Sequence, residues 1–180
     1  MFETAQPSSP RRNGLSLFAL AVFLVLSGAV AAAGGFISAR SLHTWYPTLV
    51  RPSFTPPNWL FAPVWAILYI LMAVAAWIVW RATRKSRRDI AANLSRQAAR
   101  KDALVVYTLQ LALNLAWVFA FFYLHRMLVA VAFILLLWMA ILSTTILFWR
   151  IRQLAGALLL PYLAWVSFTT ALNLVFLRLN

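Results

Sequence analysis

Five long apolar stretches, separated by shorter polar ones, organise the chain: about Leu15–Ala39, Phe61–Thr83, Ala103–Leu124, Met127–Trp149 and Leu154–Leu177. Each is long enough to cross a hydrocarbon core of roughly 30 Å as a helix, which takes about 20 apolar residues. Lipid offers no partner for backbone N–H and C=O groups, so each stretch must satisfy its own. The pattern therefore predicts an all-α membrane protein, a bundle of five transmembrane helices. Residues 1–14 read as an N-terminal polar tail and 15–180 as one helical transmembrane domain. Ser9-Pro10-Arg11-Arg12 ahead of an apolar run and Ala31-Ala32-Ala33 has the outline of a cleavable signal. The run is longer than a signal-peptide core and continues through Gly34-Gly35, which suits a retained first helix.

The polar gaps differ from one another. Arg84–Lys101 is charged and polar with helical propensity, and reads as a solvated loop. Arg40–Leu60 carries four prolines, Pro47, Pro52, Pro56 and Pro57, among Trp45, Tyr46, Phe54 and Trp59. Prolines fix φ and aromatics seek the membrane interface, so this segment is expected to be an ordered lid. Composition closes off other classes. An apolar share of 64% and a mean hydropathy of +0.83 exclude a water-soluble fold. The net charge of +13 would suit nucleic acid, but the basic residues lie in the gaps between apolar stretches, where they set topology and meet anionic lipid headgroups; no nucleic-acid partner is expected. Twelve Lys and Arg fall on the side of the N-terminus, the second gap and the 4–5 turn, and Arg40, Arg51, Arg126 and Arg178 on the other. In a cytoplasmic membrane the N-terminus would lie inside.

Inside the spans the chemistry is uncharged. Asp, Glu, Lys and His are absent from the middle of every apolar stretch, which argues against an ion-driven transporter. His43 and His125 sit at span ends, and the chain has no cysteine; no metal site and no cofactor are expected. Acid–base and nucleophilic catalysis have no visible residue set. In the third span Gln110, Asn114, Trp117 and Phe121 follow at spacings of four, three and four, which places them on one helical face. Buried amides need partners, so this face is expected to look inward, either as interhelical glue or as the wall of a cavity. Ala112, Ala116 and Ala120 form a second stripe about 130° away at about 100° per residue. Small residues let backbones approach, so this stripe is the expected homodimer interface, with Gly28, Ala31, Ala32 and Gly35 of the first span as the rival seam. Trp165, Thr169 and Asn173 share a face of the fifth span, and Trp65 and Tyr69 lie one turn apart in the second. Trp residues deep in the spans beside amides suit a flat, mostly apolar ligand held by stacking and a few polar contacts.

Trp45-Tyr46, Arg51-Pro52, Pro56-Pro57-x-Trp59, Pro63-Val64-Trp65 and Leu68-Tyr69, followed by QLALNLAW (Gln110–Trp117), Phe121-Phe122 and PYLAWVSFTTALN (Pro161–Asn173), resemble the TspO/translocator-protein family. The likeness spans about residues 40–180, in order. It implies a membrane receptor or transporter-like protein that binds porphyrins of the protoporphyrin IX kind, and benzodiazepine-type ligands, in a pocket beneath the 1–2 loop. By the same resemblance, some bacterial members promote light-dependent porphyrin breakdown, and the family also binds sterols. Carried onto this chain, the pocket comprises Tyr46, Pro56, Phe61, Trp65, Tyr69, Asn114, Trp117, Phe121, Trp165 and Thr169. Trp45 and Arg51 would belong to the lid, where Arg51 either meets porphyrin propionates at the pocket mouth or snorkels to lipid headgroups. The chain departs from the family at its C-terminal sterol-recognition motif, which needs a tyrosine where Leu172–Arg178 offers Phe176; this argues against sterol binding. Val118, Tyr123 and Arg126 fit only a loose sterol pattern.

Overall fold

The computed structural model describes residues 10–82 and 90–180, with side chains over 14–82 and 94–180. The described residues are helical with no strand: α1 (Pro10–Thr44), α2 (Asn58–Arg81), α3 (Ile90–Val118), α4 (Met127–Ile151), α5 (Gln153–Ala157) and α6 (Leu160–Leu179). Five stretches of these are long and apolar enough to span a bilayer, the fifth being α5 and α6 together. Their outer surface carries Leu15, Phe18, Val25, Phe36, Ile67 and Leu128 exposed, an apolar coat suited to bilayer hydrocarbon. The protein is an integral multi-pass membrane protein.

Helices run beyond the hydropathy pattern. α1 exceeds the expected Leu15–Ala39 at both ends, and α3 reaches back to Ile90, so much of the expected Arg84–Lys101 loop is helix. Ala98, Ala99, Arg100 and Lys101 are good helix formers and continue the third span into the polar region without a breaker. Glu3, Arg84, Lys85, Arg87, Arg88 and Asp89 lie outside the described residues, as do the side chains of Arg11 and Arg12.

Two places interrupt the helices. At the end of α3, Phe119–Tyr123 forms a π-helical turn in which the Leu124 N–H reaches back to the Phe119 carbonyl at 3.0 Å. His125 then takes a left-handed φ of 54°, and α4 begins two residues later. At the other end of α4 the chain breaks at Arg152, which is extended, and restarts as α5. Pro161 stands in the first turn of α6, where its missing N–H costs nothing. In the bundle, α3 packs along α4, α1 along α2, and α6 along α4. The core runs between them through Met72, Tyr107, Ile134, Leu137, Phe148, Tyr162 and Phe176.

Candidate functional site

The inward face of α3 organises the interior. Gln110, Asn114, Trp117 and Phe121 are all buried, and the helix presents them to α2 and α6. Asn114 joins three helices through one amide: its Oδ1 accepts from the Tyr69 hydroxyl at 2.7 Å, and its Nδ2 donates to the Tyr162 hydroxyl at 3.1 Å. One turn nearer the lid, the Trp117 indole donates to Asn173 Oδ1 at 3.1 Å. The Asn173 amide donates in turn to the Thr169 carbonyl, and the Thr169 hydroxyl to the Trp165 carbonyl.

Aromatic rings line this polar ladder. Trp65 stacks on Trp117 at 5.9 Å and 28°, lies 5.9 Å from Tyr69, and meets Tyr162 edge-on at 6.0 Å. Trp117 continues to Phe121, and Phe121 to Tyr46 and Trp45 of the lid. A second set lies toward the seam of α2 and α6: Phe61 against Trp165 at 5.8 Å, Trp165 against Phe168 at 5.6 Å, and Phe168 against Phe54 of the lid. These edge and offset geometries are the favourable ones for ring pairs. Between α2 and α6 lies a cavity of about 410 Å³, lined almost wholly by carbon, with Leu68 and Trp165 in its wall.

The lid is ordered and tied down at several points. Tyr46, in a short 3₁₀ turn (Tyr46–Thr48), is buried among Phe121, Phe122 and Phe176. Burial raises its hydroxyl above the ordinary value, against the lowering pull of Arg51. The Arg51 guanidinium stands 4.7 Å over the Tyr46 ring and remains exposed. Val50 is held at both backbone groups by the Asn180 side chain, whose Oδ1 accepts from Val50 N–H at 2.9 Å while Nδ2 donates to its carbonyl at 3.3 Å. Trp45 stacks on the His125 ring at 4.2 Å, and His125 Nε2 lies 3.2 Å from Ser41 Oγ. The Ser41 hydroxyl also donates to the Phe122 carbonyl.

Trp65, Tyr69, Asn114, Trp117 and Phe121 thus form one connected cluster, with Tyr46 and Trp45 closing it from above. Phe61 and Trp165 belong to its α2/α6 edge, Thr169 supports it through the helix, and Pro56 is half-buried in the lid. Tyr162 and Asn173 complete the polar ladder although neither stood in the expected pocket. Their placement depends on which helix faces α3, and spacing within one helix does not encode that. Ala112 is exposed, Ala116 half-buried and Ala120 buried within the protomer. Two buried polar atoms have no partner among the described residues, Gln110 Oε1 and Trp165 Nε1. No group of three or more His, Cys, Asp or Glu capable of holding a metal occurs among them.

Fold and site together define a five-helix membrane protein with an aromatic, amide-bearing interior under a proline-rich lid. Residues 19–179 match the TspO/MBR family, and the chain belongs to it. It is 37% identical over 165 residues to the tryptophan-rich protein TspO of Chlorobaculum tepidum, covering 91% of this chain and 97% of that one. It is 37% identical over 144 residues to the human translocator protein, covering 78% and 79%, and 33% identical over 158 residues to the tryptophan-rich sensory protein of Cereibacter sphaeroides, covering 88% and 89%.

Proposed function

We propose that this protein binds a tetrapyrrole of the protoporphyrin IX kind in the aromatic cluster beneath the lid, as a membrane receptor or transporter-like protein in tetrapyrrole sensing or transport. The observation that carries the reading is the presence of broad ring surfaces, Trp65 with Trp117 and Trp165 with Phe61, beside a buried Trp165 indole N–H that has no acceptor among the described residues. Stacking surfaces suit a flat apolar macrocycle, and an unmet donor in a dry wall is an unused interaction that a ligand acceptor would satisfy. The names of two relatives, sensory for one and translocator for the other, accord with a receptor or carrier.

The test is a titration of the protein in lipid nanodiscs with protoporphyrin IX, following tryptophan quenching in the dark and under illumination. Saturable quenching in the dark supports a binding site. Loss of the porphyrin spectrum in the light, at a rate set by protein concentration, would add light-dependent breakdown. Linear, unsaturable quenching would refute the reading.

A further inference from the structure

The lid and the α2/α6 seam close the same aromatic cluster from two directions, and they are built very differently. The lid is fastened by the two-way Asn180–Val50 pairing, by the Trp45–His125 stack and by Tyr46 buried among three phenylalanines. At the seam, α2 rests its backbone on α1 and α5, and α6 rests on α4. Across the seam, Phe61 meets Trp165 and Trp65 meets Tyr162 ring to ring, and the Asn114 amide of α3 ties Tyr69 to Tyr162. Against Trp165 sits the cavity of about 410 Å³, walled by Ile67, Leu68 and Leu71 of α2 and by Ala164, Trp165 and Phe168 of α6. Ile67 and Ala164 are exposed on the face that meets lipid, whereas Leu68 is buried next to Tyr69 of the cluster. One side-chain layer therefore separates bilayer hydrocarbon from the aromatic interior. The Trp165 indole, whose N–H has no partner among the described residues, belongs to that layer.

We infer that the α2/α6 cavity is a lateral entrance, through which a flat, mostly apolar ligand dissolved in the bilayer passes to the aromatic cluster with the Phe61–Trp165 pair as its gate. This rests on the proposed function for the ligand's class. A volume of this size falls within the range of small-molecule sites, and its carbon lining matches a molecule already partitioned into lipid. Its gate, the Phe61–Trp165 edge contact, joins two half-buried side chains that can rotate. Opening the lid breaks a paired amide, a stack and a packed tyrosine together.

Filling the entrance changes the path and leaves the end states alone, so it must slow arrival and departure equally. With full-length protein in nanodiscs, bound protoporphyrin IX is released into an excess of empty vesicles while tryptophan fluorescence recovers, and the affinity is measured in parallel. Ala164→Phe is expected to slow release by about tenfold with the affinity within about twofold of wild type. Ile67→Ala, which widens the opposite wall, should speed release at similarly unchanged affinity. Unchanged release in both variants, with Asn180→Ala accelerating it, would overturn the entrance in favour of the lid. A wild type that binds no porphyrin would instead refute the proposed ligand. The entrance is then judged with bilayer-dissolved pyrene as quencher: reduced access in Ala164→Phe upholds it, and equal access overturns it.

Discussion

Asn114 shows how much one side chain does inside this bundle. Its amide is shared between the hydroxyls of Tyr69 and Tyr162, so Asn114→Leu would leave two buried hydroxyls without partners. Interhelical hydrogen bonds in membranes are each worth about 0.6–2 kcal/mol, and the variant is expected to show a clearly lower apparent Tm in detergent. Gln110 provides the opposite case. Its Oε1 has no partner among the described residues and its Nε2 reaches only the Met72 sulfur at 3.6 Å, so Gln110→Met should leave Tm unchanged or raise it. At the ligand, Trp65→Ala or Trp165→Ala should weaken porphyrin binding about tenfold or more, a loss of about 1.4 kcal/mol that truncating a stacking surface readily explains. Arg51→Gln should weaken protoporphyrin IX by about 0.5–2 kcal/mol and spare its dimethyl ester, since an exposed guanidinium can pair only with the free propionates. Equal effects on acid and ester would assign Arg51 to the lid's shape through Tyr46. The α3 residues of this site were legible in the sequence because helical geometry alone puts positions 110, 114, 117 and 121 on one face. Tyr162 was legible only in part: Pro161–Trp165 reads as an inward polar-aromatic stretch of the fifth span, but the bond to Asn114 depends on which helix faces α3, and spacing within one helix does not encode that.

At the scale of elements, two joints carry the geometry. Gly156 lets α5 fold back on α4: a Cβ there would sit 2.7–2.8 Å from atoms of Trp149, including its Cα. Backbone cannot yield as a flexible side chain would, so Gly156→Ala is expected to lower Tm, while Gly28→Ala, in open space, should not. The lid's joint is Asn180. Asn180→Ala removes both bonds to Val50, and hydrogen exchange at the Val50 amide should quicken while exchange in α3 stays as it was. Hydropathy found all five spans because twenty-odd apolar residues have few other uses. It fixed their ends less well, since helices project past the hydrocarbon into water and headgroups, as α1 and α3 do. The break at Arg152 falls in the expected 4–5 turn, marked by Arg150 and Arg152 between apolar runs, whereas the wide turn at Phe119–Tyr123 was not legible, as it contains no proline or glycine to mark it.

The whole molecule offers two expectations that the absence of cysteine makes easy to examine. Lysine and arginine counts place the lid opposite the basic gaps, so Ser53→Cys should react with an impermeant maleimide from outside a cytoplasmic membrane, and Gln97→Cys only after permeabilisation. Assembly through the open part of the alanine stripe predicts that Ala112→Phe or Ala116→Phe shifts a cross-linked dimer to monomer. An unaltered dimer would move the interface to the Gly28/Gly35 face of α1, which is also exposed. The central claim is that a porphyrin occupies the aromatic cluster and not the lipid-facing surface, and the nine tryptophans report on it directly. Protein labelled with 5-fluorotryptophan gives one fluorine resonance per indole once single Trp→Phe variants assign them. On titration with protoporphyrin IX, Trp65, Trp117 and Trp165 should shift and saturate together, while Trp77, Trp80 and Trp149 stay in place. Saturating shifts confined to the latter three, or small unsaturable shifts in all nine, would contradict a site in the cluster.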